Sequence, residues 1–194
     1  MVWRPRDCSW LIGNRFFANL DVPDFKCASD PDDDYNCIAW AATRTNRPWW
    51  PTTTAPFFWP DGLPREPVHV AETLPNFIKA FEMQSYRVCR SRRFSRRYEK
   101  VAIFVSDTTG RPTHAARMLP NGMWSSKMGI HEDIEHSDLE CIQGLSYGTV
   151  KVVLKRRRCR SGNRQGIFRS FLSMLLRKAR GKLSPIQKEN PTAS

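Results

Sequence analysis

Val101-Ala102-Ile103-Phe104-Val105 opens the stretch on which the fold is decided. Five consecutive apolar residues, three of them β-branched, are too few for a helix and read as a short strand. Asp107-Thr108-Thr109-Gly110 then supplies turn chemistry. A second strand is read over 113–119, Thr113-His114-Ala115-Ala116-Arg117-Met118-Leu119. Pro120-Asn121-Gly122 follows as a hairpin signal, and 123–128 is a third strand. A polar stretch with His131, Glu132, Asp133, Glu135 and His136 separates these from a last strand over 147–154.

Upstream the period changes from two to 3.6. Residues 36–44 begin Asn36-Cys37-Ile38-Ala39-Trp40-Ala41, a run of helix formers with Asp34 and Asn36 as candidate N-caps. Residues 46–67 hold six prolines and three tryptophans, and read as a long structured loop. Thr73 caps a second helix, with Pro75 in its first turn. Leu74, Phe77, Ile78 and Phe81 form one apolar stripe on it. Helix, helix, then antiparallel meander predicts an α+β fold.

The 194 residues divide sharply by charge. Residues 151–194 hold 13 Lys or Arg and one acid, Glu189, leaving 18 of each sign in residues 1–150. The formal net charge of +12 therefore lies entirely in the last quarter. This predicts a charge-balanced domain over 1–155 and a basic tail over 156–194. Within the tail, 164–182 reads as an amphipathic helix, with Ile167, Phe168, Phe171, Leu172, Leu175 and Leu176 on one face. Lys155, Arg156, Arg157, Arg158, Arg160, Arg169, Arg177 and Lys178 are the expected contacts to a polyanion, either nucleic acid or an anionic membrane surface. Residues 87–100 carry seven further basic side chains and one acid, interleaved with Phe94 and Tyr98. That is a solvated loop or a nucleic-acid surface.

Six cysteines show no C-x-x-C pair or zinc-ribbon spacing. Residues 1–20 lack the continuous apolar run of a signal peptide, and no stretch has 18 apolar residues. Free thiols and a cytoplasmic setting are expected. His131 and His136 lie five apart, not the four that a helical zinc motif needs, so no metal and no cofactor is expected. Trp49 and Trp50 read as packing over a cleft or core.

Cys37 falls in the first turn of a helix, where the dipole favours thiolate. The bland alternative is a small buried hydrophobe. His114 shares a strand face with Ala116 and Met118, and is either the base that activates Cys37 or a structural histidine. Its third partner depends on the hairpin. A two-residue turn puts Ser125 and Lys127 on its face; a three-residue turn puts Trp124 and Ser126 there. Ser126 and Lys127 are thus the third-position candidates, and Asp133 and His136 are further ones.

The segments Asn36 to Ala41, Trp49-Trp50-Pro51, Phe77-Ile78, Pro112 to Arg117, Trp124 to Gly129, Ile134-Glu135-His136 and Tyr147-Gly148 together resemble an uncharacterised bacterial domain family over residues 36–150. A helix opening with Cys, then a strand bearing His, also resembles the papain-like superfamily and its cell-wall amidase branch. That resemblance implies a Cys-bearing helix packed on the meander sheet, Cys37 as nucleophile and His114 as base. The Cys37 amide would form an oxyanion hole, with the Asn36 side chain as a further donor. Two functions follow as expectations. One is a cysteine hydrolase or acyl/amide transferase acting on a peptide, amide or thioester substrate. The other is a non-catalytic papain-like interaction module with a polyanion- or membrane-binding tail.

Overall fold

The computed structural model describes residues 7–20 and 25–158. In chain order these form β1 (Phe25–Cys27), α1 (Cys37–Ala41), α2 (Val68–Ala71), α3 (Leu74–Glu82), β2 (Arg87–Cys89), β3 (Tyr98–Val105), β4 (Pro112–Met118), β5 (Trp124–Lys127), β6 (Asp133–His136) and β7 (Thr149–Arg157). All seven strands join one sheet in the order β1-β6-β5-β4-β3-β7-β2, and every neighbouring pair is antiparallel. This corrects the papain-like α+β expectation. The described fold is dominated by a seven-stranded sheet, and its α-helices are short, at five, four and nine residues. The long basic helix expected over 164–182 lies outside the described residues.

The added strands come from segments that look polar. β6 is Asp-Ile-Glu-His, yet Asp133, Ile134 and His136 are buried, because the sheet is covered on both faces. β2 lies in the basic run and β1 in the irregular N-terminal region, each held by pairing to a neighbour that is already in place. Double coverage also explains why β3 reads as a continuous apolar run rather than an alternating one: Val101 to Phe104 are fully buried.

Alternation sorts the strands into two cores. On one face Val101, Ile103, Ala115 and Leu154 pack against α1, α3, Trp49 and Trp59. On the other Ala102, Phe104, Ala116, Met118, Trp124 and Ile134 pack against Leu11, Phe17, Leu139 and Ile142. α3 follows its sequence signals closely. The Thr73 hydroxyl accepts from the Asn76 amide at 3.4 Å, and Phe77 and Phe81 are buried. The loop tryptophans serve this core, with the Trp59 ring 4.9 Å from Phe77.

Leu119 N–H donates to Met123 O, leaving Pro120-Asn121-Gly122 as a three-residue turn. Ala116 therefore pairs with Ser126, and His114 shares a face with Trp124 and Ser126, not with Ser125 and Lys127. Cys8 and Cys27 form a disulfide with Cα atoms 5.8 Å apart, which corrects the all-free-thiol expectation and ties the N-terminal segment to β1. Cys37 and Cys89 are free thiols. No helix among the described residues is long and apolar enough to cross a membrane.

Candidate functional site

α1 begins where the Asn36 side-chain oxygen accepts from the Ala39 amide at 3.1 Å. The same oxygen accepts from the Trp49 amide at 3.0 Å, and Asn36 Nδ2 donates to Trp49 O at 2.8 Å. Asn36 thus caps the helix and pins the tryptophan loop, which occupies the donor that an oxyanion hole would need. α1 rests on β4 and β5. Its Cys37 faces the backbone N–H groups of Ala115, Ile38 and Cys37 itself, but burial dominates and pushes the thiol up to about 11.

Cys37 and His114 belong to different cores. Ala115 points toward α1, so its neighbour His114 points away. The His114 ring stacks on Tyr147 at 3.9 Å and meets Phe104 edge-on at 5.4 Å. Neither ring nitrogen has a hydrogen-bond partner among the described residues. Burial, with His136 as a smaller contributor, pulls His114 down to about 3. Ser126 is on the His114 side, where its Oγ lies 2.9 Å from His136 Nε2. Burial also pulls His136 down, to about 4.

On the α1 side β5 and β6 gather charge. Lys127 pairs across the strands with Asp133 and is fully buried, its ammonium donating to His131 O below the ring of Tyr35. Tyr35 Oη donates to Asp133 Oδ2 at 2.9 Å. The Arg117 guanidinium lies 3.4 Å over the Trp40 ring, and Trp40 Nε1 donates to Ser125 Oγ. Burial raises Asp133 and lowers Lys127 and Arg117; in each case the opposite charges nearby resist the shift. The structure therefore brings Lys127 to the Cys37 side and Ser126 to the His114 side. Asp133, Tyr35, Trp40 and Arg117 complete a buried polar layer that becomes legible only once 133–136 is known to be a strand.

The third feature is the β2–β7 edge. Arg87, Arg90, Arg92, Arg93, Arg96, Arg97 and Arg157 are all exposed. Arg92 pairs with Glu140, and the other six have no ion pair among the described residues. Lys100 organises this surface from below. Fully inside, it donates to the carbonyls of Ser91 and Arg93 and so folds loop 90–97 over itself. Phe94 stays 40% exposed between the arginines. Lys155 sits 4.8 Å over the Tyr98 ring, while Arg156 is committed to Glu99 at 2.6 Å. Arg158 N–H donates to Arg97 O, joining the chain after β7 to this loop. Arg160, Arg169, Arg177 and Lys178 lie outside the described residues.

A family model described as a domain of unknown function (DUF7689) matches residues 26–155. No curated protein and no solved structure matches the chain.

Proposed function

The chain belongs to the DUF7689 family, and we propose that it is a non-catalytic module that binds nucleic acid along the β2–β7 edge. The observation that carries this reading is six exposed arginines that have no ion pair among the described residues, gathered on one edge with Phe94 exposed among them. Cations spaced along a loop and a strand end fit a phosphate backbone, and an exposed ring between them gives a base a stacking surface. The lysine-anchored loop holds those cations in place before any ligand arrives, which lowers the ordering cost of binding. The same reading extends to Arg160, Arg169, Arg177 and Lys178 of the basic tail.

A full-length variant carrying Arg93→Ser, Arg96→Ser, Arg97→Ser and Arg157→Ser is expected to bind a fluorescein-labelled 12-nucleotide strand at least about tenfold more weakly at low salt. The slope of log K against log salt should fall by roughly 3, at about 0.7 per phosphate contact on single strands. Anisotropy titrations at four salt concentrations measure both. An unchanged slope and affinity would remove the edge from the reading.

A second reading, a Cys37-dependent hydrolase or acyl transferase, has in its favour the three backbone N–H groups that face the sulfur. Against it stand the raised thiol, the His114 ring nitrogens without a hydrogen-bond partner among the described residues, and the separation of the two side chains between cores. Iodoacetamide at pH 8 is expected to leave Cys37 unlabelled in the native protein while modifying half-buried Cys89, as read by peptide mass spectrometry. Rapid labelling of Cys37 that disappears in His114→Phe would restore the enzyme.

A further inference from the structure

A pocket of about 310 Å³ opens where the arginine loop, the β4–β5 turn and the segment after β6 meet. Arg92, Arg93 and Phe94 line it from the loop, Gly122 from the turn, and Asp138 and Glu140 from the last segment. Phe94 is its exposed ring, and two contacts fix it in place. Lys100 holds the carbonyls of Ser91 and Arg93 just before it in the chain. Gly122 lies against it: φ there is +94, and a β-carbon would come within 3.4 Å of Phe94 Cγ. The polar lining carries both signs. Arg92 Nη1 donates to Glu140 Oε1, and both side chains are about half exposed, at 45% and 58%. Asp138 is already committed, with Oδ1 accepting from Cys141 N–H at 2.9 Å and Oδ2 from Ser137 Oγ at 3.3 Å. The pocket therefore offers one anchored ring, with an exposed guanidinium and an exposed carboxylate held side by side.

Single strands are read by stacking an unpaired base on an aromatic ring and bonding its exposed edge. We propose that this pocket takes one unpaired guanine of a bound single strand; the inference rests on the nucleic-acid reading above and names the base that the surface prefers. The base stacks on Phe94. Guanine's outer edge sets a carbonyl acceptor, O6, beside two donors, N1–H and N2–H. Arg92 donates to the first, and the Glu140 carboxylate accepts from the other two. Thymine and uracil bring one donor between two acceptors. Cytosine and adenine bring one amino group beside acceptors, so each meets the carboxylate less fully. The volume lies at the lower end of the ~300–1,000 Å³ usual for small-molecule sites, which suits a base and not a base pair. Arg93 lines the pocket and belongs to the arginine loop, so the phosphates beside the seated base meet Arg93, Arg96 and Arg97.

The test uses the full chain and two labelled 12-nucleotide strands, one all thymine and one with a single central guanine. In anisotropy titrations the wild type should bind the guanine strand at least about fivefold more tightly, the discrimination expected of one well-matched base edge. Phe94→Ser should weaken the guanine strand about tenfold, as loss of one stacked base does. Glu140→Gln should abolish the difference between the strands. Both side chains are exposed, so neither variant disturbs the core. Equal affinity for the two strands in the wild type, or a preference that survives both substitutions, overturns the guanine pocket and leaves the four-arginine experiment to decide the nucleic-acid reading. A second arm is saturation-transfer NMR with millimolar guanosine monophosphate. A signal there that is lost in Phe94→Ser, with no strand bound by any form of the protein, keeps the pocket as a site for a free guanine nucleotide and overturns the nucleic-acid reading. Binding of neither ligand overturns both.

Discussion

Lowering the pH from 7 to 5 is expected to remove roughly 4 kcal/mol of the domain's stability, shared about equally between His114 and His136. Both rings are buried and neutral, with folded pKa values near 3 and 4 against 6.5 when unfolded. Below 6.5 the unfolded chain takes up two protons that the folded chain refuses, so stability falls with pH until the folded values are reached. Each histidine contributes about 1.5 pH units at 1.36 kcal/mol per unit by pH 5. Asp133 works in the opposite direction, because burial raises its carboxyl and the folded state holds that proton more tightly; it trims the loss at the acid end. The measurement is urea unfolding at half-unit steps from pH 7.5 to 5, on the wild type and on His114→Phe. Phenylalanine keeps an aromatic ring against Tyr147 and Phe104 and removes one titration, so the pH-dependent loss should halve whatever the absolute stability becomes. A loss that stays at full size in His114→Phe would mean that His114 is charged in the folded protein, as a thiolate–imidazolium pair would require.

Gly148→Ala is expected to cost roughly 2–5 kcal/mol. Gly148 sits at φ +69, and a β-carbon there would lie 2.0 Å from the carbonyl oxygen of Val105. The left-handed conformation costs a non-glycine residue about 1–2 kcal/mol. Overlap with backbone adds about 1–3 kcal/mol, since neither β3 nor the start of β7 can move without breaking its ladder. A melting-temperature drop of about 6–15 °C follows, at about 3 °C per kcal/mol. Gly62, also at positive φ but with open space around it, is the control: its alanine variant pays the conformational cost alone. Equal effects at the two positions would show that the close approach to Val105 is not a constraint.

Several elements were legible because their signals are local. Thr73, Pro75 and the Leu74–Phe81 stripe locate α3. Asn36 marks the start of α1, and Pro120-Asn121-Gly122 marks the β4–β5 turn. What escaped were segments whose state depends on partners. Asp133 to His136 is polar and alternates weakly, yet β5 on one side and β1 on the other make it an interior strand. Arg87 to Cys89 is basic and exposed, and becomes a strand because β7 offers it a ladder. The candidate dyad failed to meet for a related reason. Proximity of Cys37 to β4 is a property of the strand, whereas which side chain faces the helix depends on a one-residue parity, and Ala115 rather than His114 has it.

The sequence by itself determined the charge asymmetry, the meander over 101–128, the capped helix at Thr73 and the membership of a domain family, because composition, turn chemistry and periodicity need no distant neighbour. Tertiary structure decided the rest. It completed a seven-stranded sheet from polar segments, placed Cys37 and His114 in separate cores, and folded an arginine loop over a buried lysine. Each of these depends on strand pairing across long separations, where burial and hydrogen-bond satisfaction override local propensity.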